Sequence, residues 1–319
     1  MASRPVGTYD VRMHETYREA ADAQAKSGAA PGDPLGQPIA EARARQDAYF
    51  RSLLGELPAV ASSDDRLVDG PHGEIPVRLV RPDGGNGPRP CIVFLRGAGF
   101  WAGGLDSHAR TARSLALASG CAVCAIDYRR TPEHAYPVQR DEVLAVLRWL
   151  RHAGRELGLA DVEPVLFGES AGATLALSAA LALRDLGERP PSGLVLFYPN
   201  SSGTKPSSRE YSKWVWGRYL GGADPASVPG PVPAIQPLEG LPPVWMACGE
   251  DDPLIEDSLA LAGGLARAKV PFTLHALPAL PHAFLMFTAT LRPAVDALAA
   301  AAAAARRFLV PFSPKDRHP

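Results

Sequence analysis

The sequence predicts an α/β protein, a mostly parallel central sheet with helices on both faces and a helical cap, and two observations carry that prediction. From residue 91 onward, short runs apolar at nearly every position, such as "CIVFL" (91–95) and "GLVLF" (193–197), alternate with longer stretches of helical periodicity. Crossover helices cover both sides of a parallel sheet, so its strands lose the apolar–polar alternation of a half-exposed strand. The chain has 319 residues, a length that suits one large domain carrying a lid better than two separate cores.

Residues 1–60 read as an N-terminal helical cap: Ile39, Ala42, Tyr49, Leu53 and Leu57 recur near helical spacing after the breaker-rich "SGAAPGDPLGQP" (27–38). Residues 61–319 form the main domain. In it "RLVDGPHGEIPVRLVRP" alternates at Ile75, Val77 and Leu79 behind turn residues, as an antiparallel hairpin does, and "PDGGNGPRP" is a surface loop. A strand at 91–95, a helix at about 107–118, a strand at 121–127, a helix at about 138–154, a strand at 164–167, a helix at about 170–186 and a strand at 193–198 follow. Residues 200–240 break the alternation with turn residues and aromatics and read as a lid-like insertion. The pattern resumes with a strand at 243–248, a helix at about 256–267, a strand at 271–276 and an alanine-rich helix from about Pro293 to Leu309.

Composition narrows the function classes. With 33 basic against 34 acidic residues and 46% hydrophobic content, nothing favours nucleic acid as a partner. The chain has no run of about 20 apolar residues of the kind that spans a bilayer, and "MASRPVGTYDVRMHETYREA" lacks the apolar region of a secretory signal, so a cytoplasmic setting is expected. A homodimer is compatible with the chain but not specified by it. Cys91, Cys121, Cys124 and Cys248 each sit in a strand-like run. The Cys121-x-x-Cys124 spacing resembles a redox or zinc pair, yet positions i and i+3 of a strand point to opposite faces, so neither metal nor cofactor is expected.

Chemistry concentrates in "VLFGESAGATLALSAALAL" (165–183). An apolar strand runs into Gly168-Glu169-Ser170-Ala171-Gly172 and then a helix, the order a nucleophile elbow requires; the bland alternative is Ser170 as a helix N-cap. A nucleophilic serine needs a base and an orienting acid. His282, in "LPALPHAFLMF", lies on a loop past strand 271–276, whereas the rival His275 lies inside that strand. Asp252 follows strand 243–248, with Glu250 and Asp251 as competitors. Earlier, "CIVFLRGAGFWAGG" (91–104) runs from strand into a glycine-rich turn whose Gly97, Gly99 and Ala102 also fit a dinucleotide-binding G-x-G-x-x-A, with Asp127 as the ribose acid. Bulky Phe100 and Trp101, a delayed helix and a leading Arg96 oppose that reading, which leaves Ser170, Asp252 and His282 unexplained.

In order along the chain, the glycine-rich turn, "YRRTPEHAYP" (128–137), "GESAGA" (168–173), "LPPVW" (241–245) with "DPL" (252–254), and "HAF" (282–284) resemble the hormone-sensitive-lipase-like esterases, bacterial family IV, of the α/β-hydrolase fold. The resemblance implies Ser170 as nucleophile, Asp252 as acid and His282 as base, an oxyanion hole from the amides of Ala98, Gly99 and Ala171, a helical cap over an acyl pocket, and no cofactor. It implies a serine carboxylesterase acting on small-molecule esters of short to medium chain. The family's turn reads His-Gly-Gly-Gly; here Arg96 replaces His and Ala98 replaces Gly. Ala98 keeps its amide provided its backbone tolerates a Cβ. Arg96 either hydrogen-bonds nearby carbonyls or a carboxylate, or lines the pocket and favours acidic substrates. Phe100, Trp101 and Trp214 are the other pocket candidates; Tyr211, Trp214 and Trp216 at helical spacing read as lid packing, one of them facing the acyl channel. Glu133 and His134 are expected to be structural. Two other classes fit the same residues: a hydrolase fold turned to acyl transfer, lysis or cyclisation in a biosynthetic pathway, and a non-catalytic receptor.

Overall fold

A computed structural model describes residues 15–26, 28–84, 87–201, 210–223 and 232–309. Residues 1–14 of the cap, and 202–209 and 224–231 of the lid-like stretch, lie outside the described residues. Helices α1 (Glu15–Lys26) and α2 (Ile39–Ser52) precede the hairpin β1 (Ser62–Val68) and β2 (Ile75–Arg81). Helix α2 ends at Ser52 with Leu53 as its cap, so Leu57 falls beyond it and the helical spacing read through residue 57 overruns by one turn.

Strands and helices then alternate: β3 (Cys91–Leu95), α3 (Ala109–Ser119), β4 (Ala122–Ile126), α4 (Val138–Ala153), β5 (Val165–Glu169), α5 (Ala171–Asp185), β6 (Gly193–Phe197), α6 (Glu210–Tyr219), β7 (Val244–Gly249), α7 (Ile255–Arg267), β8 (Phe272–Leu277) and α8 (Arg292–Leu309). The eight strands lie in the order β1-β2-β4-β3-β5-β6-β7-β8. Only the β1–β2 and β2–β4 pairs are antiparallel; the rest of the ladder is parallel.

Every residue of β3, β4, β5, β6 and β7 is buried, which is why these strands read as unbroken apolar runs. Their side chains feed two cores. Val93, Leu95, Leu166 and Leu196 pack on one face with Val143, Leu147, Leu175 and Leu261 of α4, α5 and α7. Ile92, Phe94, Phe167 and Phe197 pack on the other with Leu115 of α3 and the alanine face of α8, and with Tyr17 and Phe50 from α1 and α2. Cys124 belongs to the first core and Cys121 to the second, on opposite faces of the sheet. All four cysteines are free and buried, and burial pushes the Cys124 thiol up to about 12.

The sheet order puts the C-terminal ends of β3, β5, β6 and β7 side by side, where the strand order reverses. Open α/β sheets bind their ligands at such a place.

Candidate active site

Ser170 stands on the turn between β5 and α5 at φ 52°, ψ −116°, a conformation that a residue with a Cβ rarely adopts. The turn is held in that shape by close approach on both sides. A Cβ on Gly168 would lie 2.4 Å from the Gly172 carbonyl oxygen, and one on Gly172 would lie 2.0 Å from that of Leu95. Glycine at both positions lets α5 start directly behind β3, and the Ser170 amide donates to Phe197 O at 2.9 Å, fixing the elbow to β6.

Ser170 Oγ lies 2.9 Å from His282 Nε2, and His282 Nδ1 lies 2.9 Å from Asp252 Oδ2. Asp252 is 2% exposed and its second oxygen accepts from the Leu254 amide at 2.7 Å, so both carboxylate oxygens are engaged and one points at the ring. The loop that carries His282 crosses the end of β7 so closely that a Cβ on Gly249 would sit 1.8 Å from Leu280 O. Of the rival groups, Glu250 is exposed and His275 is an exposed β8 side chain against Trp245. The geometry gives a hydroxyl, an imidazole to take its proton and a buried carboxylate to hold the imidazole.

The glycine-rich turn lies beside this line of groups. A Cβ on Gly97 would be 3.4 Å from Ser170 Cβ. Ala98 and Gly99 both have positive φ, 77° and 58°, and with Ser170 they line a cavity of about 360 Å³. Among the described residues, no backbone carbonyl accepts from the Ala98 or Gly99 amides, so these N–H groups are available to a ligand. The Ala171 amide heads α5, where first-turn N–H groups have no helical acceptor.

Three of the four pocket candidates do not line that cavity. Trp101 does, and its Nε1–H donates to Tyr211 Oη at 3.0 Å. Phe100 is turned beneath the turn and stacks on Tyr219 at 3.8 Å between ring centroids; Trp214 packs edge-on against Trp101. Arg96 is 2% exposed, its guanidinium 4.0 Å above the Tyr128 ring, donating to Ala102 O and Tyr128 O and facing Asp127 at 3.4 Å. Backbone carbonyls of the turn and of the loop after β4 draw the guanidinium inward, away from the site. Glu133 accepts both guanidinium bonds of Arg43, which also reaches Trp101 O and Thr131 O, so the 128–137 loop ties α2 to the turn.

Residues the sequence reading passed over complete the walls. Tyr17, Gln46, Tyr49, Phe50 and Leu53 come from the two N-terminal helices, and Met286 and Phe287 from the turn after His282. Glu169 and His108 also line it, both buried, with Tyr198 Oη donating to Glu169 Oε2 at 2.8 Å. Desolvation lifts the Glu169 carboxyl to about 7 and holds the His108 imidazole down to about 3. A carboxylate inside an otherwise apolar strand, "VLFGE", was the available signal for Glu169.

Comparison with known proteins agrees with the fold. The family described as having an alpha/beta hydrolase fold matches residues 92–286. A carboxylesterase of Mycobacterium tuberculosis, NlhH, is 32% identical over 294 residues, covering 86% of this chain and 90% of its own. The esterase LipI of the same organism is 30% identical over 253 residues, 73% of this chain and 78% of its own. Among solved structures, an ester hydrolase from the metagenome of Lake Arreo superposes with a TM-score of 0.84 at 29% identity, covering 92% of this chain and 98% of that one.

Proposed function

The chain belongs to the α/β-hydrolase fold family, and from that premise we propose that it is a carboxylesterase of the hormone-sensitive-lipase-like group, working through Ser170, His282 and Asp252. Relatives that cover most of the chain are named esterase, carboxylesterase and acetyl esterase. The observation that carries the residue assignment is the continuous line Ser170 Oγ, His282 Nε2, His282 Nδ1, Asp252 Oδ2, with both contacts at 2.9 Å.

In this mechanism Ser170 Oγ attacks the ester carbonyl carbon while its proton passes to His282 Nε2. The new C–O bond pushes the carbonyl electrons onto oxygen, where the amides of Ala98, Gly99 and Ala171 stabilise the charge; one such donor is worth about 2.7–4 kcal/mol in the transition state. Collapse breaks the bond to the alcohol, which leaves with the proton from His282, and water repeats the sequence on the acyl-enzyme. Asp252 keeps Nδ1–H of the ring directed at itself so that Nε2 is free to accept. The cavity of about 360 Å³, walled by Tyr17, Phe50, Leu53 and Met286, supports acyl groups of short to medium length. Residues 1–60 act as the cap and 200–240 as a lid. No helix among the described residues is long and apolar enough to cross a membrane; the reading adds a cytoplasmic location and a homodimer without nucleic acid, which fractionation and light scattering test.

A panel of p-nitrophenyl esters from acetate to decanoate, run on the wild type and on Ser170→Ala, tests the function. Hydrolysis that peaks at short to medium chains and vanishes in the variant is expected; equal rates in both defeat the assignment. A fluorophosphonate probe separates the enzyme from a receptor on the same fold: folded wild type that never labels at Ser170 is a receptor.

A further inference from the structure

Glu169 is the buried carboxyl that the reaction above does not use. Its side chain is 2% exposed and touches three parts of the site at once. Tyr198 Oη donates to Oε2 at 2.8 Å, and the Tyr198 ring meets the His282 ring edge-on with centroids 4.8 Å apart. Gly97, at the head of the oxyanion turn, packs on this side chain, and a Cβ there would lie 3.4 Å from Glu169 Cγ. Oε1 faces His108 Nε2 at 3.4 Å and has no hydrogen-bond partner.

The hydrogen bonds around His108 say where the proton between them sits. Ser107 Oγ accepts from the Gly104 amide at 2.8 Å and gives its own hydrogen to Gly104 O at 3.1 Å. With that hydrogen on Gly104 O, the remaining contact, Ser107 Oγ to His108 Nδ1 at 2.9 Å, takes its hydrogen from Nδ1. That tautomer leaves a lone pair on Nε2 opposite Oε1. A bare carboxylate oxygen against a lone pair, buried and unbonded, is the costly arrangement; a proton on Oε1 removes the clash.

We propose that Glu169 is a positioning residue of the esterase reaction: its buried carboxyl, protonated toward His108, ties the ring of the base and the oxyanion turn to the elbow of the nucleophile. The proposal rests on the reading of Ser170 and His282 given above. The Tyr198 bond sets the face against which His282 leans, and the packing of Glu169 on Gly97 sets the start of the turn that presents Ala98 and Gly99. The carboxyl touches no reacting atom and acts only through these neighbours. Burial pushes the carboxyl up to about 7 against the opposing pull of the Tyr198 hydroxyl and of the charges on Arg96 and His282. The other groups around Glu169 are Tyr198 from the end of β6, Arg96 from the end of β3, His108 at the head of α3 and His282 from the loop after β8.

Kinetics of wild type, Glu169→Gln, Glu169→Ala and Tyr198→Phe on p-nitrophenyl butyrate decide the matter. Glutamine offers the same pair as the protonated acid, an acceptor to Tyr198 and a donor to His108. The expected result is kcat lower by ~10- to 100-fold in Glu169→Ala with KM nearly unchanged, since misplaced groups cost rate rather than binding. Glu169→Gln regains most of kcat and leaves the acid limb of the kcat/KM profile in place, because the protonated carboxyl it replaces carries no charge on that limb. Full kcat in Glu169→Ala, or an acid limb moved to lower pH in Glu169→Gln, which would show an ionised Glu169, overturns the proposal. Should Glu169→Ala fail to fold, the limb in Glu169→Gln and a lowered kcat in Tyr198→Phe carry the test, and wild-type kcat in Tyr198→Phe counts against it. Wild type that shows no Ser170-dependent hydrolysis overturns the esterase reading itself, and this one with it.

Discussion

Ala98 holds φ 77° in a turn where its neighbour Gly99 holds 58°, so one alanine sits where glycine is at ease. A left-handed residue with a Cβ costs about 1–2 kcal/mol, and the extra chain freedom of glycine in the unfolded state returns about 0.4–1 of it. Ala98→Gly is therefore expected to raise stability by about 0.5–1 kcal/mol, visible as a higher Tm, and to keep esterase activity because in the proposed mechanism the donor to the substrate is the amide. A lower Tm would show that the Ala98 methyl packs better than its backbone strains. Arg96 differs in kind. The substitution itself stands out in the sequence, but its direction does not, since the acceptors that draw the guanidinium inward, Ala102 O and Tyr128 O, are backbone atoms of two separate segments. Arg96→His is expected to slow neutral and carboxylate-bearing esters by the same factor, by letting the turn shift; selective loss of the carboxylate-bearing ester would place Arg96 in the substrate's path.

Among the elements, helix α6 shows how pattern stops short of orientation. Tyr211, Trp214 and Trp216 share helical spacing, yet Tyr211 faces the cavity, Trp214 covers Trp101, and Trp216 donates to the Asn200 side chain at 3.1 Å. The parallel strands and their helices were legible because burial on both faces leaves an unmistakable apolar run, and β3 begins and ends where the run does. Ser170, Asp252 and His282 were legible because each follows a strand. The cavity walls were not: α1 buries Tyr17 against Phe287 across more than 260 residues of chain, a contact with no local signature. Tyr211 hydrogen-bonds α6 to the turn, with its hydroxyl accepting from Trp101 Nε1 and lying 2.8 Å from where a Gly99 Cβ would be. Tyr211→Phe removes that bond and keeps the ring. It is expected to raise KM for the longer esters of a p-nitrophenyl series while kcat on acetate stays near wild type; a fall in kcat with KM unmoved would instead put Tyr211 in the chemistry.

For the molecule as a whole, the buried Glu169–His108 pair shapes how stability follows pH. Unfolded, the carboxyl titrates near 4.5 and the imidazole near 6.5; folded, they move to about 7 and about 3. Between pH 4.5 and 6.5 the unfolded chain holds one proton, on His108, and the native pair also holds one, on Glu169. Proton counts match, so the pair adds no slope to stability in that window. The raised carboxyl alone would make stability fall as pH rises through the window, and the depressed imidazole alone would make it climb; the two cancel. Glu169→Gln removes the first and leaves the second. Its stability should therefore climb relative to wild type by about 3 kcal/mol from pH 4.5 to 6.5, two units at about 1.4 kcal/mol each. Urea unfolding of both proteins at pH 4.5, 5.5 and 6.5 reads this directly, because every other titrating group contributes alike and drops out of the difference. Parallel curves would mean that the native pair keeps its proton on the imidazole, with Glu169 ionised beside it.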